Sequence, residues 1–74
     1  MEKREIKIQT DYIKLDQLLK FSGIAETGGE AKEMILQGCV CWQGEVCFTR
    51  GKKVYRGDSI IVHLQDQKIM LLVQ

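Results

Sequence analysis

The chain begins with a segment in which polar and apolar residues alternate. In "REIKIQ", residues 4–9, Ile6 and Ile8 fall on one face and charged or polar residues on the other. This period of two predicts a half-buried β-strand. The alternation then gives way to apolar residues spaced three and four apart, which predicts that helices follow the strand.

A first short helix is predicted from Leu15 to Ser22. Leu15, Leu18 and Leu19 repeat at the spacing of one helix face. Gly23 and the isoleucine after it are typical of a helix end, because glycine easily takes the left-handed backbone conformation and the apolar residue folds back on the last turn. The helix is therefore expected to be short and to turn its leucines toward a core.

A second helix is predicted to begin at Thr27 and to end at Gly38. Thr27 and Glu30 stand in the threonine-x-x-glutamate arrangement of a capping box, in which each side chain accepts from the amide of the other residue. Its apolar stripe consists of Ala31, Met34 and Ile35. Gly28 and Gly29 fall in its first turn, where glycine costs roughly 1 kcal/mol relative to alanine, so their presence needs an explanation.

The rest of the chain has the pattern of short strands and turns. The segment "CVCWQGEVCF", residues 39–48, consists of two apolar runs around Gln43-Gly44, which predicts a hairpin with a two-residue turn. The segments "DSIIVHL" and "KIMLLV" predict a second hairpin that turns at residues 65–67, and "VYRGD" at residues 54–58 is interpreted as a turn before it. We therefore predict a single α+β domain over residues 1–74, with two short helices packed on a small, mostly antiparallel sheet of about five strands.

Composition is typical of a small soluble protein in a reducing compartment. The 74 residues allow one domain, and no apolar run approaches the ~20 residues that cross a bilayer. The charged start "MEKREIKIQT" lacks an apolar signal core, and three cysteines cannot all pair within one chain. We expect a cytoplasmic protein that makes no membrane contact, and a monomer.

Charge is nearly balanced in total but unevenly distributed. The formal net charge is only +1, yet "RGKKVYR", residues 50–56, carries four cations and no acid. Acidic residues concentrate around the predicted helices, at Asp16, Glu26, Glu30 and Glu33. The basic segment is either a solvated loop or a local contact for a polyanion, and its distribution favours nucleic acid more than the total charge does.

An ordered set of short motifs runs from Lys14 to Val62. These are Leu15-Asp16, Ala31-Lys32, Ile35, Gly38-x-Val40, Gln43-Gly44 and Val54 to Asp58. No single motif is specific, but their order and intervals resemble those of the RNA-binding domain named after ribosomal protein S-four, which is built around the αL motif. The diglycine before Glu30 resembles a subgroup of small, stand-alone bacterial members.

The resemblance implies a protein that binds structured RNA with the two helices and the loop after them, and that catalyses no reaction by itself. The RNA would be ribosomal or transfer RNA, and the partner would be a ribosome or a subunit precursor. The role would be in ribosome assembly or translation, and no cofactor would be needed. The chain departs from the family where a serine-arginine pair often stands near Gly28-Gly29, and where Cys39 and Cys41 replace commonly basic residues. The RNA surface is therefore expected to be less cationic than in relatives.

Phosphate contact requires long cationic side chains on a rigid surface, and the motifs indicate where these lie. Lys32 falls off the apolar stripe of the second helix and is expected to be exposed. The bare amides of Gly28 and Gly29 could receive a phosphate at the helix start; the alternative is a plain tight turn between the helices. The predicted RNA-binding residues are Lys14, Gly28, Gly29, Lys32, Gln37, Arg50, Lys52, Lys53 and Arg56.

A zinc site is the first alternative use of the polar residues in the strands. Cys39, Cys41, Cys47 and His63 could in principle form a ligand set. The two-residue turn argues against it, because Cys47 then lies opposite Val40, on the sheet face away from the other two cysteines. We predict no metal site, with Cys47 as a small core residue and His63 on the surface of a strand.

The aromatic residues and the single histidine leave further alternatives. Trp42 either stacks on an unpaired base or fills a core position in place of valine, and Tyr55 either does the same or covers a strand edge. No enzyme is predicted, because a single histidine without an evident carboxylate arrangement does not activate a nucleophile. A protein-interaction module that docks on a partner through the exposed sheet is the alternative to RNA binding.

Overall fold

The computed structural model describes all residues from 1 to 74 and contains two helices and seven strands. In chain order these are β1 (Glu2–Ile6), β2 (Tyr12–Lys14), α1 (Leu15–Phe21), α2 (Gly28–Leu36), β3 (Val40–Trp42), β4 (Glu45–Val46), β5 (Lys53–Tyr55), β6 (Ser59–His63) and β7 (Lys68–Val73). The predicted α+β class is confirmed. No helix is both long enough and apolar enough to cross a membrane.

Five of the strands form the main sheet, in the order β1-β7-β6-β3-β4. Only the β1–β7 pair is parallel, and the other neighbours are antiparallel, as predicted for a mostly antiparallel sheet of about this size. The pairing of β1 extends past its end, because the Ile8 amide donates to the Gln74 carbonyl at 2.8 Å and the Gln74 amide donates to the Ile6 carbonyl at 2.8 Å. The predicted first strand is therefore confirmed, with regular structure shifted toward the start of the chain.

The remaining two strands, β2 and β5, form a separate antiparallel ribbon that the sequence pattern did not predict. The sequence pattern predicts a turn over residues 54–58, and this is wrong at its start, because Val54 lies inside β5, opposite Ile13. Each of these strands is only three residues long, too short for a visible alternation, and the two partners are far apart in the chain. The turn begins only after Tyr55, where the Asp58 amide donates to the Tyr55 carbonyl at 3.0 Å.

The hairpin between β3 and β4 has the predicted register. Its two turn residues, Gln43 and Gly44, have φ angles of 49° and 86°, which suit the right-handed twist of the strands and favour glycine at the second position. Trp42 lies opposite Glu45, and the Cys47 amide donates to the Val40 carbonyl at 2.9 Å. Cys47 is half-buried and packs against the core, as expected.

The helix ends follow the predicted signals closely. α1 stops at Phe21, one residue before the predicted end, and Gly23 follows it with a φ of +85°. At the start of α2 the Glu30 amide donates to Thr27 Oγ1 at 3.1 Å. The return bond from the Thr27 amide to the Glu30 carboxylate is not formed, so only one half of the predicted capping box is present.

The core lies between the helices and one face of the main sheet, and every buried side chain in it is apolar. The helices contribute Leu15, Leu18, Leu19, Ala31 and Ile35, and the strands contribute Val40, Val54, Ile60, Val62, Ile69, Leu71 and Val73. Burial alternates along β6 and β7, which places Ile61, Met70 and Leu72 on the opposite face, where they are only half-buried. That outer face carries no helix.

Candidate nucleic-acid interface

The basic loop between β4 and β5 is fixed against the start of α1 by backbone hydrogen bonds. The Leu15 amide donates to the Lys52 carbonyl at 2.9 Å, and the Asp16 amide donates to the Arg50 carbonyl at 3.0 Å. The ribbon continues this pairing and sets Lys14 opposite Lys53. Four predicted site residues, Lys14, Arg50, Lys52 and Lys53, therefore lie on adjoining backbone segments at one end of the molecule.

Lys52 does not extend freely from this loop, because its ammonium lies over the indole of Trp42, 4.0 Å from the ring centroid. A cation in this position is attracted by the negative face of the ring. Trp42 itself is half-buried and packs against the core, so of its two predicted roles the packing role is the one that the structure supports. The indole also positions a predicted RNA-binding ammonium.

Asp58 connects the edge of the indole to the turn after β5. Its Oδ2 accepts from Trp42 Nε1 at 3.2 Å and from the Tyr55 amide at 3.0 Å. The Ser59 amide and hydroxyl both donate to Gln43 Oε1, at 2.9 and 3.2 Å. From the sequence, Asp58 is only part of a turn motif. In the structure its carboxylate links Trp42 of β3 to Tyr55 at the end of β5.

The outward face of the ribbon combines two lysines with two tyrosines. Tyr12 is paired with Tyr55, and Lys14 with Lys53, while Ile13 and Val54 between them point to the core. The Lys53 ammonium lies 4.9 Å from the centroid of the Tyr12 ring. Sequence reasoning missed Tyr12 altogether, because nothing in a three-residue strand indicates which distant residue will lie beside it.

The start of α2 presents two glycines that the backbone does not require. Neither Gly28 nor Gly29 has a positive φ, and both are exposed. A methyl group added at Gly28 would meet nothing within 4 Å, and one at Gly29 would meet only Thr27 Oγ1 at 3.9 Å. Their amides have no acceptor within the chain, since the capping oxygen is used by Glu30. The structure therefore gives no steric reason for glycine at either position.

The other predicted site residues differ in whether their side chains are already bonded within the protein. Lys32 is exposed on α2, as expected. Gln37 ends that helix and donates from Nε2 to Glu33 Oε1 at 3.0 Å, while Arg56 donates from Nη2 to the Ile8 carbonyl at 3.1 Å. Both side chains therefore have contacts within the protein, and their RNA contacts stay predictions.

The thiols and the histidine do not converge. No group of three or more histidine, cysteine, aspartate or glutamate side chains has an arrangement that could hold a metal ion. Cys41 Sγ lies 3.7 Å from Nε2 of His63, which is exposed on β6 as predicted, whereas Cys39 packs against the rim of the core. This leaves a thiol–imidazole pair on the outer face of the sheet rather than a ligand set.

Comparison with protein families agrees with the resemblance seen in the motifs. Residues 6–71 match the family model of the S4 domain, a span that runs from the end of β1 into β7 and includes both helices, the basic loop and the ribbon. No curated protein matches the chain. S4 domains are RNA-binding modules and are generally not catalytic. Because the match covers nearly the whole chain, the protein belongs to the S4 domain family.

Proposed function

We propose that this protein binds structured RNA without catalysing a reaction, and that the basic end of the molecule is its main phosphate contact. The observation that carries this proposal is the convergence of Lys14, Arg50, Lys52 and Lys53 on adjoining backbone segments. Long cationic side chains on a rigid backbone suit phosphates, which supply most of the affinity in such complexes. Lys32 and the glycine start of α2 provide a second contact on the neighbouring helix.

The proposed RNA is ribosomal RNA, with transfer RNA as the second choice. The resemblance to stand-alone bacterial S4 proteins supports a cytoplasmic monomer that acts on a ribosome or a subunit precursor, in ribosome assembly or translation. A net charge of only +1 provides little attraction for nucleic acid in general. This supports binding that depends on the shape of the RNA rather than on its charge alone.

The non-catalytic part of the proposal is supported by the surroundings of the only histidine. His63 lies beside the Cys41 thiol, and no carboxylate orients the ring from its other side. A thiol nucleophile normally requires a base that a third group holds in place. The pair also lies on the open face of the main sheet, which has no enclosing cleft.

Crosslinking in cells, followed by sequencing of the bound RNA, tests the proposal directly. We expect ribosomal RNA to be enriched over messenger RNA, with crosslinks that map to a structured region. Enrichment of transfer RNA would replace the proposed target, and no enrichment over a non-crosslinked sample would remove the RNA-binding function. The same experiment with Lys52→Ala and Lys53→Ala combined is the control for specific contact.

The outer sheet face supports the second candidate, a protein-interaction module. Ile61, Met70 and Leu72 are half-buried there, and no helix covers them. Pull-down with the intact purified protein separates the two functions. If partner proteins are recovered and RNA is not, and if Ile61→Lys abolishes that recovery, the interaction module is the better description.

Gly29→Ala tests the proposed phosphate contact at the start of α2. Because Gly29 has ordinary helical geometry and open space around it, alanine should raise the free energy of unfolding by up to about 1 kcal/mol. RNA binding should nevertheless weaken, because the new methyl group hinders approach of a phosphate to the free amides. Urea unfolding and RNA titration of the same sample measure both effects; a more stable variant that binds RNA like the parent would remove the phosphate contact at this helix start.

A further inference from the structure

The β2–β5 ribbon has one face in the core and one face in solvent. Val54 is fully buried and Ile13 packs against the same core. Since neighbouring residues of a strand point to opposite faces, the flanking pairs Tyr12–Tyr55 and Lys14–Lys53 share the outward face. The result is a small platform of two aromatic rings beside two ammonium groups, with no acidic residue among the four.

The two rings are arranged so that they do not cover each other. Their centroids lie 5.8 Å apart and their planes are inclined at 51°, which is a tilted contact rather than a parallel stack. Tyr55 is 47% exposed, a large fraction for an aromatic side chain of a strand. Neither phenol hydroxyl has a hydrogen-bond partner within the chain, so nothing in the protein uses the polar end of either ring.

An open concavity of about 630 Å³ lies beside Tyr12. It is lined by Thr10, Asp11, Tyr12, Ile13, Lys14 and Gln17. It is an open depression of the surface, and its lining combines an aromatic ring with donors and acceptors suited to the edge of a nucleobase. A base that stacks on the platform would therefore have space and polar partners next to the ring.

We propose that the outward face of the ribbon binds an unpaired nucleotide, with the base stacked on one ring of the Tyr12–Tyr55 pair and the flanking phosphates held by Lys14 and Lys53. This inference rests on the proposed RNA binding and adds that the target has a single-stranded segment beside its structured part. Every base has a π-face, so stacking of this kind tolerates sequence, while ammonium groups on the same face select a polyanion over a neutral or basic chain. The Lys53 ammonium lies over one face of the Tyr12 ring, so it would hold a phosphate beside that ring, while the exposed Tyr55 ring receives the base.

Three RNA probes and two variants test the inference. The first probe is a fully paired stem of two strands with blunt ends, and the second is the same stem with a single-stranded extension. The third carries that extension without bases. Tyr12→Leu combined with Tyr55→Leu removes the rings but keeps apolar bulk, and Tyr12→Phe combined with Tyr55→Phe keeps the rings. Circular dichroism and thermal unfolding establish that each variant is folded.

We expect the parent to bind the extended probe more tightly than the abasic probe. The leucine variant should lose about 5- to 150-fold for the extended probe per stacked base, while its affinity for the paired stem stays at the parent value. The phenylalanine variant should bind all three probes like the parent. Equal binding of the extended and abasic probes by the parent, or an unchanged affinity of the folded leucine variant, overturns base stacking on the ribbon.

The probes also distinguish a failure of the ribbon site from a failure of the proposed binding of structured RNA. If the parent binds the paired stem but shows no dependence on the extension, RNA binding stands and the ribbon site falls. If the parent binds the extended probe with the expected dependence on Tyr12 and Tyr55 but ignores the paired stem, the ribbon site stands and recognition of structured RNA falls. Binding of none of the probes rejects both.

Discussion

With Lys52→Ala and Lys53→Ala combined, the protein is expected to bind structured RNA more weakly than the parent, whatever the sequence of the RNA. Phosphate contacts carry little sequence information, so the loss should be uniform across RNAs of the same shape. Each lost contact should also reduce the slope of log affinity against log salt by about 0.7–0.9, because fewer counterions are released. Titration of a labelled stem-loop at several salt concentrations measures both quantities.

The two lysines differ in what they touch within the protein, and this affects stability. Lys52 lies over Trp42, and Lys53 lies over Tyr12 at a longer distance. An exposed cation–π contact contributes about 0.5–1 kcal/mol, so Lys52→Ala should lower the free energy of unfolding by about that amount. Lys53→Ala should cost less. Binding must therefore be measured at a temperature where urea titration shows each variant to be fully folded.

A matched control removes the same charge from another surface. Lys3 and Lys68 are exposed, and both lie on the outer face of the main sheet, on β1 and β7. Lys3→Ala combined with Lys68→Ala should keep most of the affinity and the salt slope. If the control loses as much affinity as the loop variant, the effect is one of net charge, and the basic loop is not a contact site.

Leu18→Ala is expected to have the largest effect on stability. Leu18 is completely buried in the middle of α1, and a leucine truncated in such a site costs about 2–5 kcal/mol, because apolar contact is lost and a cavity is left. A domain of 74 residues has a total stability of about 4–11 kcal/mol on the usual scale per residue. The substitution should therefore remove a large part of the stability, which urea unfolding followed by the fluorescence of Trp42 can measure.

Leu36→Ala is the control for this change, since it makes the same chemical substitution on a side chain that is 53% exposed. We expect the free energy of unfolding to change by less than about 0.5 kcal/mol. Similar losses in the two variants would show that α1 does not pack as described. RNA binding by Leu18→Ala should fail only where the variant unfolds, because Leu18 has no exposed surface with which to touch a ligand.

The parts of the fold that could be predicted are those determined by neighbours in the chain. The turn at Gln43 and Gly44 determines which residues of β3 and β4 face each other, and Thr27 with Glu30 marks the start of α2. In each case the signal and the structure lie within a few residues, so the physical cause is visible in the sequence. The resemblance to the S4 family added the order of the helices and strands, which local patterns alone do not determine.

The parts that could not be predicted depend on distant partners. The ribbon pairs residues 12–14 with residues 53–55, and the local sequence of neither segment indicates that pairing. The position of the Lys52 ammonium over Trp42 has the same origin, because β3 and the basic loop meet only in the folded protein. For the candidate site, the sequence was enough to name the cations, Trp42 and Tyr55 as candidates, but not Tyr12 or the contacts between the lysines and the rings.

The parallel pairing of β1 with β7 has a consequence for the order of folding. It joins residues 2–6 to residues 69–73, so this edge of the sheet cannot form until the first and the last strand have met. Contacts over such a long separation are entropically costly to form and slow folding, whereas the β6–β7 hairpin and the helix pair need only short loops. We therefore expect β1 to dock late in folding, after the other strands of the sheet and the helices have formed.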